Sequence, residues 1–160
     1  VKEHTDCKAL NISEENIGNG FMHVCELTGL MGRWQTLSEK PLTICDTGHN
    51  VGGWEYISKQ LEQTPGTLHI IIGMVGDKDV RKVVAMLPKR AKYYFTQASV
   101  KRAMPAAEFA EIARESGLEG NTYETVAKAH EEARRHASEN DTIFIGGSTF
   151  IVADMLENIS

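Results

Sequence analysis

From Leu42 onward, short β-branched runs alternate with segments of helical periodicity, and few folds accommodate that alternation. It is the sequence sign of βαβ units laid on a mostly parallel sheet. Five runs read as strands: Leu42 to Cys45, Leu68 to Ile72, Lys92 to Thr96, a weaker one over Gly120 to Tyr123, and Thr142 to Ile145. Between them, Trp54, Ile57, Ser58 and Leu61 share one helical face. Val80, Val83, Val84 and Leu87 repeat the spacing, as do Ala106, Phe109, Ala110 and Ala113, and then Val126, Ala129, His130, Ala133 and Ala137. Asn50 and Asp77 are candidate N-caps, Pro105 suits a first helical turn, and Thr149 to Leu156 reads as a last helix. The expected fold is α/β: a Rossmann-like, doubly wound, mostly parallel sheet with helices on both faces.

The first forty residues have a different character. Ser13 to Thr28 places Ile17, Phe21, Val24, Cys25 and Thr28 on one helical face despite Gly18 and Gly20, and Gly29 suits a left-handed cap. This helix precedes the alternating region and the chain opens without an initiator methionine. The expectation is a piece of a longer protein, with residues 1–30 the tail of a preceding domain and linker and residues 31–160 the α/β domain. Just before the first strand, Trp34-Gln35-Thr36-Leu37 is also strand-like.

A chain of 160 residues that is 41% hydrophobic and 24% charged is ordinary for one globular domain, which disfavours disorder, collagen and coiled coil. The net charge of −5 gives no electrostatic footprint for nucleic acid, so small molecules held at local sites are the expected partners. Apolar runs such as Ile70-Ile71-Ile72 fall far short of the roughly 20 residues of a membrane span, and no signal peptide opens the chain, so no membrane partner and a cytoplasmic location are expected. Cys7, Cys25 and Cys45 lack CxxC or Cys/His spacing and read as small buried hydrophobes rather than disulfide or zinc ligands.

In an open α/β sheet ligands gather at the carboxyl ends of the strands, and those positions are rich here in polar groups. Asp46-Thr47-Gly48-His49-Asn50 places a carboxylate, an imidazole and an amide beside a helix N-terminus, where unpaired N–H groups favour anions. The same residues also serve simply to close a turn. Gly73-Met74-Val75-Gly76-Asp77-Lys78-Asp79 follows the second strand as a bendable loop or a cap. Gly146-Gly147-Ser148-Thr149 forms an anion-receptive nest or a tight turn with an N-cap. Arg33 alone passes for a surface arginine, and His130 for a packed one on its helix. There is no GxxxxGK[ST] loop, no GxGxxG after a strand, no GxSxG and no HExxH, which suggests half of a composite site.

Taken in order, Gly32-Arg33, Pro41, Asp46 with His49-Asn50, Gly76 with Lys78-Asp79, Thr96-Gln97 with Arg102-Ala103, and Gly147-Ser148 resemble the C-terminal domain of the folylpolyglutamate synthase and dihydrofolate synthase family, within the Mur ligase superfamily. The likeness runs from about Leu27 to Leu156. Gly48 stands where that family usually has Ala, and Val51 where Pro is common. The resemblance implies an ATP-dependent ligase that phosphorylates a dihydropteroate or folate carboxylate to an acyl phosphate, which the amine of L-glutamate then attacks. It implies that the phosphate loop and the Mg2+ ligands belong to a central ATPase domain whose tail is residues 1–30, and that this domain closes over ATP. Carried over residue by residue, Arg33, Asp46, His49 and Asn50 face ATP, with Arg33 catalytic, and Ser148 meets the glutamate carboxylate; no metal ligand falls on this chain. Two other readings stay open, another Mur-type amide ligase domain and a stand-alone nucleotide-binding regulatory module.

Overall fold

The structure, a computed structural model, describes residues 32–76 and 79–159. The helix expected over Ser13 to Thr28, the Gly29 cap, Cys7, Cys25, Asp77 and Lys78 lie outside the described residues. The strands are β1 (Gln35–Glu39), β2 (Leu42–Asp46), β3 (Leu68–Ile72), β4 (Lys92–Phe95), β5 (Gly120–Thr122) and β6 (Thr142–Gly146). The helices are α1 (Val51–Glu62), α2 (Val80–Met86), α3 (Ala106–Glu115), α4 (Val126–His136) and α5 (Thr149–Ile159).

All six strands form one sheet in the order β1-β2-β6-β3-β4-β5. β2, β6, β3, β4 and β5 are parallel, as the βα alternation requires. β1 is the strand-like Trp34 to Leu37 segment displaced by one residue and extended, and it adds antiparallel to β2 through a register shift between Thr36 and Ser38. β6 lies between β2 and β3, so the chain leaves β2 past an empty slot and fills it last. The loops after β2, β3 and β6 therefore meet at a topological switch point.

Alternate residues of the buried strands face opposite layers. Ile44, Ile70, Ile72, Phe95 and Phe144 pack with Trp54, Ile57 and Leu61 of α1, Val80, Val83 and Val84 of α2, and Phe109 and Ala113 of α3. Cys45, Ile71, Tyr94, Ile143 and Ile145 pack with Val126, Ala129 and Ala133 of α4 and Ile151, Val152 and Met155 of α5. Helices on both faces make the sheet doubly wound, and each helical face is the one its periodicity marks. His130 is half-buried on α4, and burial lowers its pKa.

Asn50 caps α1 by accepting the Gly53 N–H at 2.8 Å. At α2 the cap position is Asp79, left-handed at φ 63° and without a capping bond from its side chain. Pro105 stands at the cap of α3 rather than in its first turn, and the Gln97 side chain accepts the Ala106 N–H at 3.0 Å instead.

At the amino end of the sheet a polar thread crosses the second layer. His69 Nδ1 lies 3.0 Å from the Tyr94 hydroxyl, which lies 3.1 Å from His136 Nδ1. Asp141, 3.8 Å from His69 Nε2, accepts the N–H groups of Ser138 and Thr67, both at 2.8 Å. Those two backbone bonds, Ser138's foremost, hold the Asp141 carboxyl down to about 2. Burial lowers the pKa of His69 despite the Asp141 charge.

Both effects destabilise the fold in acid. A folded histidine pKa below its unfolded value gives stability that is lost as pH falls through about 6.5. A folded carboxylate pKa below its unfolded value gives stability that is complete above about pH 4 and lost as pH falls towards about 2. Thermal melting followed against pH should therefore decline in two stages below neutrality. Asp141→Ala should lower neutral-pH stability by about 1–3 kcal/mol, since it orphans two N–H groups, and remove much of the second stage.

Candidate functional site

The site is built where β2 and β6 end, and its first element is a carboxylate with two structural bonds. Asp46 closes β2 with its side chain buried; Oδ1 accepts the Gly48 N–H at 2.7 Å and Oδ2 accepts the Trp34 N–H at 2.8 Å. The next residue, Thr47, donates its N–H to the Gly32 carbonyl at 2.7 Å. The Gly32-Arg33-Trp34 turn is thereby held on both sides, with Gly32 at φ 75° and Trp34 at φ 44°. A left-handed tryptophan costs about 1–3 kcal/mol and persists only where its surroundings over-determine it. Here the carboxylate holds its N–H, and its ring lies 6.0 Å from Phe144, which in turn meets Trp54 edge-on at 5.8 Å.

Arg33 sits exposed at the apex of this turn. Burial pushes the Asp46 pKa above the usual carboxylate value, opposed by the bonds from Gly48 and Trp34 and by the Arg33 charge. Asp46 is thus the support of the Arg33 turn, and a ligand would find only the remaining lone pairs of its two oxygens.

Beyond Asp46 the chain turns sharply into α1. A Cβ at Gly48 would stand 2.3 Å from Ile57 Cδ1, so the glycine at this position matches the buried isoleucine beneath it. His49 is exposed and its Nδ1 lies 3.1 Å from the Thr47 carbonyl. Only a protonated Nδ1 bonds to a carbonyl, which leaves Nε2 as the acceptor in the neutral ring. Asn50 spends its oxygen on the α1 cap and keeps its amide NH2 for solvent or a ligand.

On the β6 side, Gly147 at φ 99° lets the backbone turn where a Cβ would meet the Gly73 carbonyl at 2.4 Å. Ser148 is buried, and its hydroxyl accepts the Ile151 N–H at 3.2 Å, capping α5. The hydroxyl proton stays available, as do the N–H groups of Thr149 and Phe150, which have no acceptor within the helix.

His49 and Ser148, along with Val75, Arg102, Thr149 and Phe150, line a cleft of about 230 Å³. Arg33, Asp46 and Asn50 do not line it; they occupy the adjoining turn and the α1 cap. Arg102, to which sequence reasoning gave no role, also lines the cleft, and its guanidinium carbon lies 4.9 Å from the Phe150 ring centroid. Its signal was its place in the ordered motif set, which carried no hint of the Phe150 contact. Among the described residues no carboxylate lines the cleft, and Arg102, Ser148 and Thr149 supply donors there. A larger cleft of about 550 Å³ lies at the amino ends of β4 and β5, away from the loops that carry this chemistry.

Asp46→Ala should free the Gly48 and Trp34 N–H groups together. Urea unfolding should show a loss of about 1–3 kcal/mol, with tryptophan emission shifted to the red as the Trp34 ring leaves Phe144.

Residues 32–149 match the family described as Mur ligase, glutamate ligase domain. The dihydrofolate synthase/folylpolyglutamate synthase of Escherichia coli K12 is 30% identical over 152 residues, covering 94% of this chain and 34% of that protein. The structure of E. coli FolC in complex with DHPP and ADP superposes with a TM-score of 0.75 at 30% identity, over 94% of this chain and 35% of that one. The Yersinia pestis bifunctional folylpolyglutamate synthase/dihydrofolate synthase with Mn, AMPPNP and L-glutamate bound gives 0.75 at 28%, over 94% and 36%. The chain thus spans about a third of the length of this E. coli relative.

Proposed function

The chain belongs to the Mur ligase glutamate ligase domain family, and from that membership we propose that it is the carboxyl-terminal domain of a cytoplasmic, ATP-dependent dihydrofolate and folylpolyglutamate synthase. The observation that carries this reading is the cleft at the α5 N-terminus, lined among the described residues by donors and no carboxylate, together with an arginine on a braced turn. A substrate carboxylate, on dihydropteroate or a folate, takes the terminal phosphoryl group of ATP and releases ADP. The amine of L-glutamate attacks the acyl carbon, phosphate leaves, and the amine gives up a proton as the amide forms.

Each side chain has a role suited to its surroundings. Arg33, fixed by its turn, neutralises charge on the transferring phosphoryl group, where a preorganised donor counts most. Asp46 holds that turn and contributes its remaining lone pairs on the ATP side. His49 and the Asn50 amide face the nucleotide at the start of α1. Ser148, with the N–H groups of the first turn of α5, receives a carboxylate of glutamate.

Among the described residues no three His, Cys, Asp or Glu side chains converge as a metal site. The chain also carries no GxxxxGK[ST] loop. In this reading phosphate and metal ligation lie on a central domain, with residues 1–30 as its tail and residues 31–160 closing on it. Closure excludes water, so the acyl phosphate meets the amine before it hydrolyses.

Titrated calorimetrically with ATP and magnesium, the 160-residue chain should bind weakly and release no phosphate when glutamate and a folate are added. Submicromolar binding, or phosphate release, would refute the composite-site assignment. In the full-length enzyme, Arg33→Ala should raise the barrier by about 2–4 kcal/mol and cost less in ATP affinity, with Arg33→Lys a partial rescue. Turnover within about threefold of the parent would return Arg33 to an ordinary surface arginine.

A further inference from the structure

The cleft has two anion-receptive poles, and both are built on Phe150. One is the first turn of α5, where Ser148, Thr149 and Phe150 line the cleft and the first N–H groups of the helix have no acceptor within it. The other is Arg102, whose guanidinium carbon lies 4.9 Å from the Phe150 ring centroid. A guanidinium drawn to a ring in this way still carries N–H groups able to meet an anion. Among the described residues no carboxylate lines the cleft to occupy them. A ligand that meets both poles carries two negative groups.

The segment that carries Arg102 is tied down on several sides. The Ser99 N–H and hydroxyl both bond the Asp154 carboxylate, each at 2.7 Å. The Ala103 N–H bonds the Val100 carbonyl at 3.0 Å, and the Met104 N–H the Met74 carbonyl at 3.0 Å. The Arg102 carbonyl itself accepts the Gly76 N–H at 3.4 Å. Asp154 lies four residues after Phe150, one turn along the same face of α5, so a single helix supplies both the ring and the anchor.

We infer that Arg102 is a specificity residue that receives the side-chain carboxylate of the incoming amino acid, and that Asp154, acting through Ser99, is the positioning residue that holds it there. The inference rests on the glutamate-ligase reading and adds a basis for choosing a dicarboxylic amino acid over its neutral amide. A pole built for a charged carboxylate is left poorly matched by a carboxamide, and such a mismatch discriminates more strongly than size does.

The test compares L-glutamate with L-glutamine as acceptor in the full-length enzyme that carries this domain. Arg102→Gln should raise the KM for glutamate and lower the glutamate-to-glutamine ratio of kcat/KM by about tenfold or more, with the KM for ATP unchanged. Arg102→Lys should restore part of the ratio. Ser99→Ala and Asp154→Ala should lower the same ratio severalfold, a readout that general loosening of the fold does not move. An unchanged ratio in Arg102→Gln, or an equal loss with both amino acids, overturns the inference. A parent enzyme that forms no ADP in response to glutamate and a folate overturns the functional reading instead.

Discussion

A buried carboxylate at the end of a β-strand is costly unless its oxygens are satisfied, and at Asp46 the groups that satisfy it belong to two different segments. One oxygen orders the turn into α1 and the other reaches back across the start of β1 to hold the Arg33 turn. The strand that delivers Asp46 is paired on both sides, to β1 and to β6, so the carboxylate has little freedom to follow a moving loop. The position of Arg33, and of the left-handed Trp34 beside it, depends on that rigidity.

The same logic extends around the carboxyl edge. Gly147 brings the β6 backbone against the Gly73 carbonyl, so the loops after β3 and β6 touch. The bridge between Val75 and Ala103 ties the loop after β3 to the loop after β4, and the Ser99–Asp154 pair ties the latter to α5. Three loops that would otherwise fluctuate separately are cross-linked, together with α5, at the switch point of the sheet.

How much of this was legible in the sequence depended on the range of each interaction. The buried strands and the helical faces were legible because burial imposes period 2 or 3.6 on neighbouring residues. The Asn50 cap was legible because its partner is three residues away. β1 was visible as far as Leu37, but its register shift and half-exposed pattern blurred its far end. The strands' carboxyl ends pointed to Asp46, His49 and Ser148 as a group, since topology puts those ends together. The division between the Arg33 turn and the Arg102 cleft was not legible. It is decided by Asp46 reaching Trp34 and by Arg102 reaching Phe150, contacts between segments that carry no periodic signal.

A rigid edge has a consequence for how half of a composite site can work. Ordering a loop or a long side chain at the moment of binding costs about 0.5–1.5 kcal/mol for each rotamer-rich group, and that cost falls on the ligand. Ser148, Trp34 and Ser99 already make their bonds within this domain, and Arg102 already has its ring. In the proposed reading the cleft and the arginine turn thus meet a partner domain with their geometry set, and closure has to align two bodies rather than assemble many side chains. Alignment of that kind is what the proposed reaction through a water-sensitive acyl phosphate needs, because prepared surfaces exclude water once they meet.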